Sequence, residues 1–447
     1  MEHPHAANSV ELERLRARVE RNEPFLPENL VLWRELFMLK PREITSTYLA
    51  WAYLTDVFKA RGYALYVPRQ RPDSTKLYTV TYPAGYMDAV VYPASGNGLG
   101  GTHGTLGSQR YISPFYPFAP VWAATNRSGD EFIIKVVSDG QSAKGANELR
   151  ILERLSKRDV RSDPRNHVVP VVEFVKYKQY TFAVFPRWSD FPGKEIVTPR
   201  TAIECCVQIT EGLAFLHEKR IAHLDISVEN FMINFYGYVH PTLAPVVEHF
   251  PIKYGIIDFG ESVILDGSHD RLAPPRDYAP RPTSAPEVSS QRPFDPFAAD
   301  VYQTAMFLLE QFYDLTGIGP DFLRILQAMT GPPSARISMM EVHRRLAALR
   351  DSWRDDPNPE VANVIGRPQN KYTRAYLNTR RPFPGSMAIP ANDAEASALR
   401  ERMRQEQRSA KMRSARRPSR PEMLRVDPVR GTSGCVHGNH ASFDLDD

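Results

Sequence analysis

The sequence predicts an α+β fold built as two lobes. Strand-like runs dominate from Val121 to Phe185, and helical spacing dominates from Pro199 onward. A break after Trp353, where periodicity ends and proline and arginine accumulate, sets off a tail.

Taken in order, Glu11–Arg21 is charged and weakly helical. Stronger helices are expected over Pro27–Leu39 and over Ser46–Arg61, the second placing Tyr48, Trp51, Leu54 and Phe58 near one face and stopping at Gly62. Tyr92–Ser108 is glycine-rich and reads as a flexible loop. The period then changes. Val121–Ala124, the turn Asn126–Asp130 and Glu131–Val137 read as a β-hairpin. A helix follows over Ala146–Leu155, then strands over Val168–Phe174 and Tyr180–Phe185, then helices over Thr201–His217, Phe297–Tyr313, Asp321–Met329 and Ser338–Leu349. The expected units are an N-terminal extension (1–108, helical then glycine-rich loop), a strand-rich lobe (109–190), a helical lobe (191–353) and a largely disordered Pro/Arg-rich tail (354–447).

Composition narrows the classes. Of 447 residues, 42% are apolar, ordinary for a globular chain, and the formal net charge is only +4, too small and too dispersed to argue for nucleic acid. The 38 prolines point to long connections or an unfolded segment. Three cysteines occur, of which Cys205 and Cys206 are neighbours in a helical stretch and point apart, so no disulfide or metal spacing is present. The N-terminus lacks an apolar signal core and no run is long enough to span a bilayer. The expectation is a soluble intracellular protein, cytoplasmic or nuclear, in a reducing compartment, with no membrane partner. Between Arg400 and Arg430, 11 Arg/Lys face 4 Asp/Glu, so the stretch around Arg408–Arg420 is a candidate for an anionic partner or nuclear import.

The chemistry-bearing run is Ala222-His223-Leu224-Asp225-Ile226-Ser227-Val228-Glu229-Asn230, followed 33 residues after Asp225 by Asp258-Phe259-Gly260. Phosphoryl transfer needs one carboxylate to receive or orient a hydroxyl, and a second carboxylate with an amide oxygen to hold Mg²⁺ against phosphates. These motifs resemble the protein kinase superfamily over roughly residues 110–350. The resemblance implies a bilobal fold, with a β-rich N-lobe carrying one main helix and a larger helical C-lobe. It implies ATP and Mg²⁺ as cofactors and a protein substrate. Asp225 matches the catalytic base, Asn230 and Asp258 the Mg²⁺ ligands, and Lys135 the phosphate-contacting lysine. Glu148 matches its ion-pair partner, with Glu153 as competitor, and Val121 and Ile133 match the nucleotide-lining strand positions. Ala285-Pro286-Glu287, Asp300 and Arg336 match structural positions: a segment-closing motif, a brace for the catalytic loop, and the partner of Glu287. Further runs, including Phe58–Tyr63, Asp163–His167, Gly212–His217 and Phe294–Phe297, are similar to the large fungal group of stand-alone kinase-domain proteins.

Three departures bear on activity. The strand–turn–strand before Lys135 reads Pro114–Val121, with prolines where glycines would cradle phosphate. A G-x-G-x-x-G string at Gly96, Gly98 and Gly101 lies 34 residues before Lys135, too far to serve without an insertion. Ser227 stands where serine/threonine kinases place a lysine, and Leu224 where an arginine reads loop phosphorylation. Tyr236–Tyr254 is extra material, expected as an extended hairpin loop. Three functions follow in order: an ATP-dependent protein kinase acting on a protein hydroxyl, Ser/Thr foremost; a pseudokinase binding or scaffold module; and a small-molecule kinase.

Overall fold

The computed structural model describes residues 9–39, 44–70, 77–82, 94–96, 102–104, 119–190, 199–234, 253–266, 272–276, 283–290, 292–312 and 320–354. All belong to one compact unit, Met1–Leu399; a second unit, Arg400–Asp447, lies outside them. So do the expected disordered tail, the proline-bearing region 114–118 and the insertion from 235 to 252.

Four helices open the chain: α1 (Ser9–Glu20), α2 (Leu30–Leu39), α3 (Thr45–Ala52) and α4 (Thr55–Lys59). Helix α2 begins at Leu30, later than the periodicity suggested, because Asn29 supplies the side-chain oxygen that accepts Leu32 N–H at 2.9 Å. The helix expected over Ser46–Arg61 is two helices, broken at Tyr53 and Leu54, and the backbone leaves the second through Gly62 at φ +88°. The break re-aims the chain while Trp51, Leu54 and Phe58 all stay buried.

Short strands follow. β1 is Ala64–Leu65, and β2 (Val67–Gln70) pairs antiparallel with β3 (Leu77–Tyr82). Within the stretch expected to be a flexible loop, β4 (Ala94–Gly96) pairs with β5 (Thr102–Gly104). Backbone ladders need no side chains, so glycine content alone did not exclude them.

The main sheet has five antiparallel strands in the order β1-β6-β7-β9-β8, where β6 is Val121–Thr125, β7 Glu131–Ser138, β8 Glu173–Tyr177 and β9 Tyr180–Pro186. β8 starts at Glu173 rather than Val168: Pro170 has no N–H to give a ladder, and only a single bridge, Val168 to Ile256, forms before it. Alternation assigns the two faces. Trp122, Ala124, Phe132, Ile134, Phe182 and Val184 are buried in a core shared with Trp33, Leu36, Trp51 and Phe58 of the N-terminal helices. Trp51 stacks on Trp122 at 6.0 Å, Phe58 meets Phe182 edge-on at 5.3 Å, and Trp51 Nε1 donates to the Ala119 carbonyl. The opposite face carries Val121, Ile133 and Lys135, all only partly buried.

Helix α5 (Ala143–Leu155) lies next to this sheet and begins earlier than its apolar spacing indicated, because Ser142 caps it by accepting Gly145 N–H. Asp139 ties it to the N-terminal helices: one carboxylate oxygen accepts Leu30 N–H at 2.9 Å, and the other accepts Gln141 and Ser142 N–H at 3.0 and 2.8 Å. Gly145 permits the contact, since a Cβ there would stand 2.6 Å from Leu30 Cδ1 and 2.9 Å from the Val137 carbonyl.

After the short helix α6 (Arg158–Arg161) and strand β10 (Ser189–Asp190), the second lobe consists of α7 (Pro199–Glu218), α8 (Pro296–Phe312), α9 (Pro320–Thr330) and α10 (Met339–Arg354). Among the described residues between α7 and α8 are the short strands β11 (Ile221–Ala222), β12 (Phe231–Ile233), β13 (Tyr254–Ile256) and β14 (Val263–Ile264). Its core joins Leu213, Phe215, Phe307, Leu308 and Leu326 to Phe231, Ile256 and Phe259. Cys205 and Cys206 are buried free thiols, both pushed up by burial. Among the described residues no helix is long and apolar enough to cross a membrane.

Asp139→Ala is expected to destabilise the protein by about 2–4 kcal/mol in denaturant unfolding, because three N–H groups lose one acceptor. Burial opposes the Asp139 charge, but its N–H donors outweigh that and hold the carboxyl below its ordinary range. Its contribution is therefore full above about pH 4 and lost as pH falls through the lowered folded value, so the gap between wild type and variant should close in acid.

Candidate active site

The chemistry-bearing loop is shaped from beneath by α8. Asp300, fully buried, accepts His223 N–H and Leu224 N–H, both at 2.7 Å, and is bonded at 2.9 Å to His217 Nε2. Gln303, one turn on, accepts Ile226 N–H at 3.2 Å. These bonds bend the backbone so that Leu224 sits at φ +61°, a region bulky residues enter only under constraint. β11 pairs with β14, Ile221 opposite Ile264 and Ala222 opposite Val263, which brings the Asp258 segment back beside the loop. His223 closes the join. Its Nε2–H donates to Ile257 O at 2.9 Å, and that role leaves Nδ1 to accept Asp225 N–H at 3.3 Å.

Asn230 lies next in the fold. Its side-chain amide nitrogen donates to Asp225 Oδ2 at 2.9 Å and to the Asp225 carbonyl at 2.7 Å, and the Asn230 backbone carbonyl accepts Ile257 N–H. With both amide hydrogens engaged, the side-chain amide oxygen is the atom of this residue that could ligate a hard cation. β12 and β13 pair with Phe231 opposite Ile256, so Asn230 and Asp258 leave adjacent strand ends.

Lys135 meets two carboxylates. Its Nζ donates to Glu148 Oε1 at 2.6 Å and to Asp258 Oδ1 at 2.9 Å. The Lys135, Glu148 and Asp258 side chains are 18%, 4% and 45% exposed, so the pair with Glu148 is the dry one. Burial works against the Lys135 charge, yet Asp258 and Glu148 outweigh it and hold the ammonium above the usual lysine range. The Lys135 charge, opposed by burial, holds Asp258 well below the usual carboxylate range. Burial pushes Glu148 up against the pull of Lys135. Asp258 itself has φ +64° and accepts Gly260 N–H at 3.1 Å; a Cβ at Gly260 would stand 3.1 Å from that same oxygen.

The structure thus brings Lys135, Glu148 and Asp258 into one cluster and Asp225 and Asn230 into another, joined through Ile257. Val121 stands opposite Lys135 in register, and Ile133 lies two residues away on the same face of β7. Lys135 lies within β7, which continues to Ser138. Glu153, the competitor of Glu148, is exposed. Arg336 pairs with Glu287, its Nη2 at 3.0 Å, with Tyr302 under its guanidinium. Gly98 and Gly101 lie outside the described residues, and Gly96 ends β4. Asp139 was not singled out from the sequence, although the run Asp139-Gly140-Gln141-Ser142 ahead of a helix is the signal of a capping turn.

The chemistry of these donors fits a hard cation. Among the described residues no three His, Cys, Asp or Glu side chains are grouped to hold a metal by themselves. One carboxylate and one amide oxygen suit Mg²⁺, which takes its remaining ligands from phosphates and water.

The protein kinase domain family model matches residues 117–316, which include every residue of both clusters. The serine/threonine-protein kinase ppk8 of Schizosaccharomyces pombe is 26% identical over 162 residues, covering 36% of this chain and 26% of that protein. The serine/threonine-protein kinase PSK1 of Saccharomyces cerevisiae is 24% identical over 188 residues, covering 38% of this chain and 12% of that protein. Residues 117–316 of the chain thus match a protein kinase domain. Its kinase domain matches about a quarter or less of the length of these curated relatives. The curled antiparallel sheet with α5 is the N-lobe of that domain, and the helices from α7 on form its C-lobe.

Asp300→Ala removes the acceptor of two buried N–H groups and of His217. It is expected to cost about 3–5 kcal/mol in thermal or denaturant unfolding. A loss under 1 kcal/mol would show that the catalytic loop of the kinase domain holds its bend without it.

Proposed function

We propose that the protein is an ATP-dependent protein kinase that transfers the γ-phosphate of MgATP to a serine or threonine hydroxyl of a protein. One observation carries the reading: Lys135 is held between Glu148 and Asp258, at 2.6 and 2.9 Å, beside the Asp225–Asn230 pair. Two relatives named as serine/threonine-protein kinases support the acceptor class.

In this reading Glu148 fixes Lys135 so that its ammonium neutralises phosphate oxygens of ATP, while Val121 and Ile133 supply apolar lining on the same sheet face. Asp258 and the amide oxygen of Asn230 are the residues that would hold Mg²⁺, which when bound neutralises charge on the phosphates. Asp225 accepts the proton of the incoming hydroxyl as its oxygen bonds to the γ-phosphorus and the bond to the leaving ADP oxygen breaks. Asn230 keeps that carboxylate oriented through its amide N–H. Asp258, ionised well below its ordinary range, stays charged throughout the neutral assay range.

The pseudokinase reading differs in one measurable respect. With labelled ATP, Mg²⁺ and a generic acceptor such as myelin-type basic protein or the chain itself, wild type should incorporate phosphate. Asp225→Asn should lose at least about 10²-fold of the rate. Nucleotide binding, read by thermal shift, should persist in that variant. Equal rates in both proteins sink the assignment of Asp225, and no incorporation by wild type with retained nucleotide binding favours the scaffold.

Asp258→Asn should separate nucleotide from metal. The added thermal stabilisation that Mg²⁺ gives in the presence of ATP should vanish, while any shift from ATP alone remains. An undiminished Mg²⁺-dependent shift would remove Asp258 from the metal site.

A further inference from the structure

Helix α5 carries Glu148 on its buried side. Its outer stripe is Lys144, Asn147, Arg150 and Arg154, spaced three, three and four residues apart and so on one face. Every one of them reaches the chain just after Asp258. Lys144 pairs with Glu261, and Asn147 Nδ2 donates to the Ser262 carbonyl at 2.8 Å. Arg150 and Arg154 both pair with Asp266, at 3.2 and 3.0 Å.

These contacts differ in weight. Asp266 and Arg150 are each 56% exposed, and exposed pairs contribute little. Glu261 is only 22% exposed and engages a second cation: one carboxylate oxygen takes Arg276 Nη1 at 3.2 Å, while Arg276 Nη2 donates to the Glu261 carbonyl at 2.6 Å. Arg276 stands 18 residues after Asp258, in the segment that closes at Glu287. Glu261 therefore touches helix α5 with one oxygen and the distal part of that segment with the other.

The loop beneath offers no charge for the same task. Leu224 is buried in an apolar cluster with Ala273, Ala285, Val288 and Phe294, and Ala273 and Phe294 exchange backbone hydrogen bonds at 2.7 and 3.1 Å. Ala273 and Ala285 of the segment thus share a cluster with Leu224, whose members offer a phosphate no cation.

We propose that Glu261 is a positioning residue. Its carboxylate, between Lys144 and Arg276, couples helix α5 to the segment 258–287, keeping Glu148 at Lys135 with no phosphate added to the chain. The consequence for transfer rate rests on the kinase reading above; the coupling itself does not.

The experiment uses the full chain and the variants Glu261→Gln, Glu261→Asp and Lys144→Met. Amide hydrogen exchange is followed in peptides covering 143–155 and, as an internal reference, 199–218. Phosphate transfer is followed before and after phosphatase treatment. Glu261→Gln should speed exchange in 143–155 by about tenfold with 199–218 unchanged, and lower kcat by about tenfold or more, with a smaller change in KM. Glu261→Asp should recover part of both, and phosphatase-treated wild type should keep its rate. If Glu261→Gln fails to fold, Lys144→Met, altered at the surface, should show the same selective exchange. Unchanged exchange in 143–155 for the folded variants overturns the coupling, and so does a tenfold fall in wild-type rate after phosphatase. If wild type transfers no phosphate at all, the kinase reading fails, and the exchange comparison alone decides the coupling.

Discussion

Lys135 is an ammonium between two carboxylates, and losing the dry partner, Glu148, would leave a largely buried charge uncompensated. Keeping that partner in place organises the first lobe. β7 must present Lys135 on the face away from the tryptophan cluster, which the register with β6 and β9 enforces. Helix α5 must lie close enough for Glu148 to arrive dry. Its position is set by Asp139 and Gly145 against Leu30, so the N-terminal helices bear directly on the ion pair rather than decorating the lobe. The aromatic layer of Trp33, Trp51 and Trp122 then gives those helices a large apolar area to hold them in place.

Much of this was legible in the residues. The hairpin before Lys135, helix α5 and the helices of the second lobe follow from period alone. The order of Lys135, Glu148, Asp225, Asn230 and Asp258 along the chain identifies them as a set. What the sequence does not display is how the set is brought together. The pairing of β11 with β14 and of β12 with β13 involves strands of two or three residues, too short to have a period. β3, by contrast, carried a readable β-branched and aromatic run from Leu77 to Tyr82, yet no strand was expected there. Asp139 and Glu261 are single acidic residues among 52, and their importance lies in contacts more than 100 residues distant for Asp139 and Glu261 alike.

Leu224 shows how a departure from a family pattern can be an exchange of one physical device for another. Asp300 binds two successive N–H groups, and that grip forces a left-handed backbone on a branched residue, at a cost of about 1–2 kcal/mol. The same bend delivers the side chain into the cluster with Ala273, Ala285 and Phe294. Burying a leucine there is worth roughly 1.5–3 kcal/mol, enough to offset the strain. An arginine in that seat would need a counter-charge, and none of the cluster's members supplies one.

Charge balance in the cleft follows from the same inventory. Lys135 is one ammonium against three carboxyl groups, Glu148, Asp225 and Asp258, and Ser227 adds no second cation. Its hydroxyl is buried with no hydrogen-bond partner among the described residues, so it does not substitute electrostatically for a lysine either. On the proposed function, a triphosphate would meet these three carboxyl groups against one ammonium, and like charges at a few ångströms in a partly dry site repel strongly. Asp258 and Asn230 are the groups able to recruit the compensating divalent charge, and with no lysine at 227 a larger share of the neutralisation falls on them than on the rest of the loop. Substrate binding in this domain should accordingly depend on magnesium more steeply than in a kinase that keeps the second lysine.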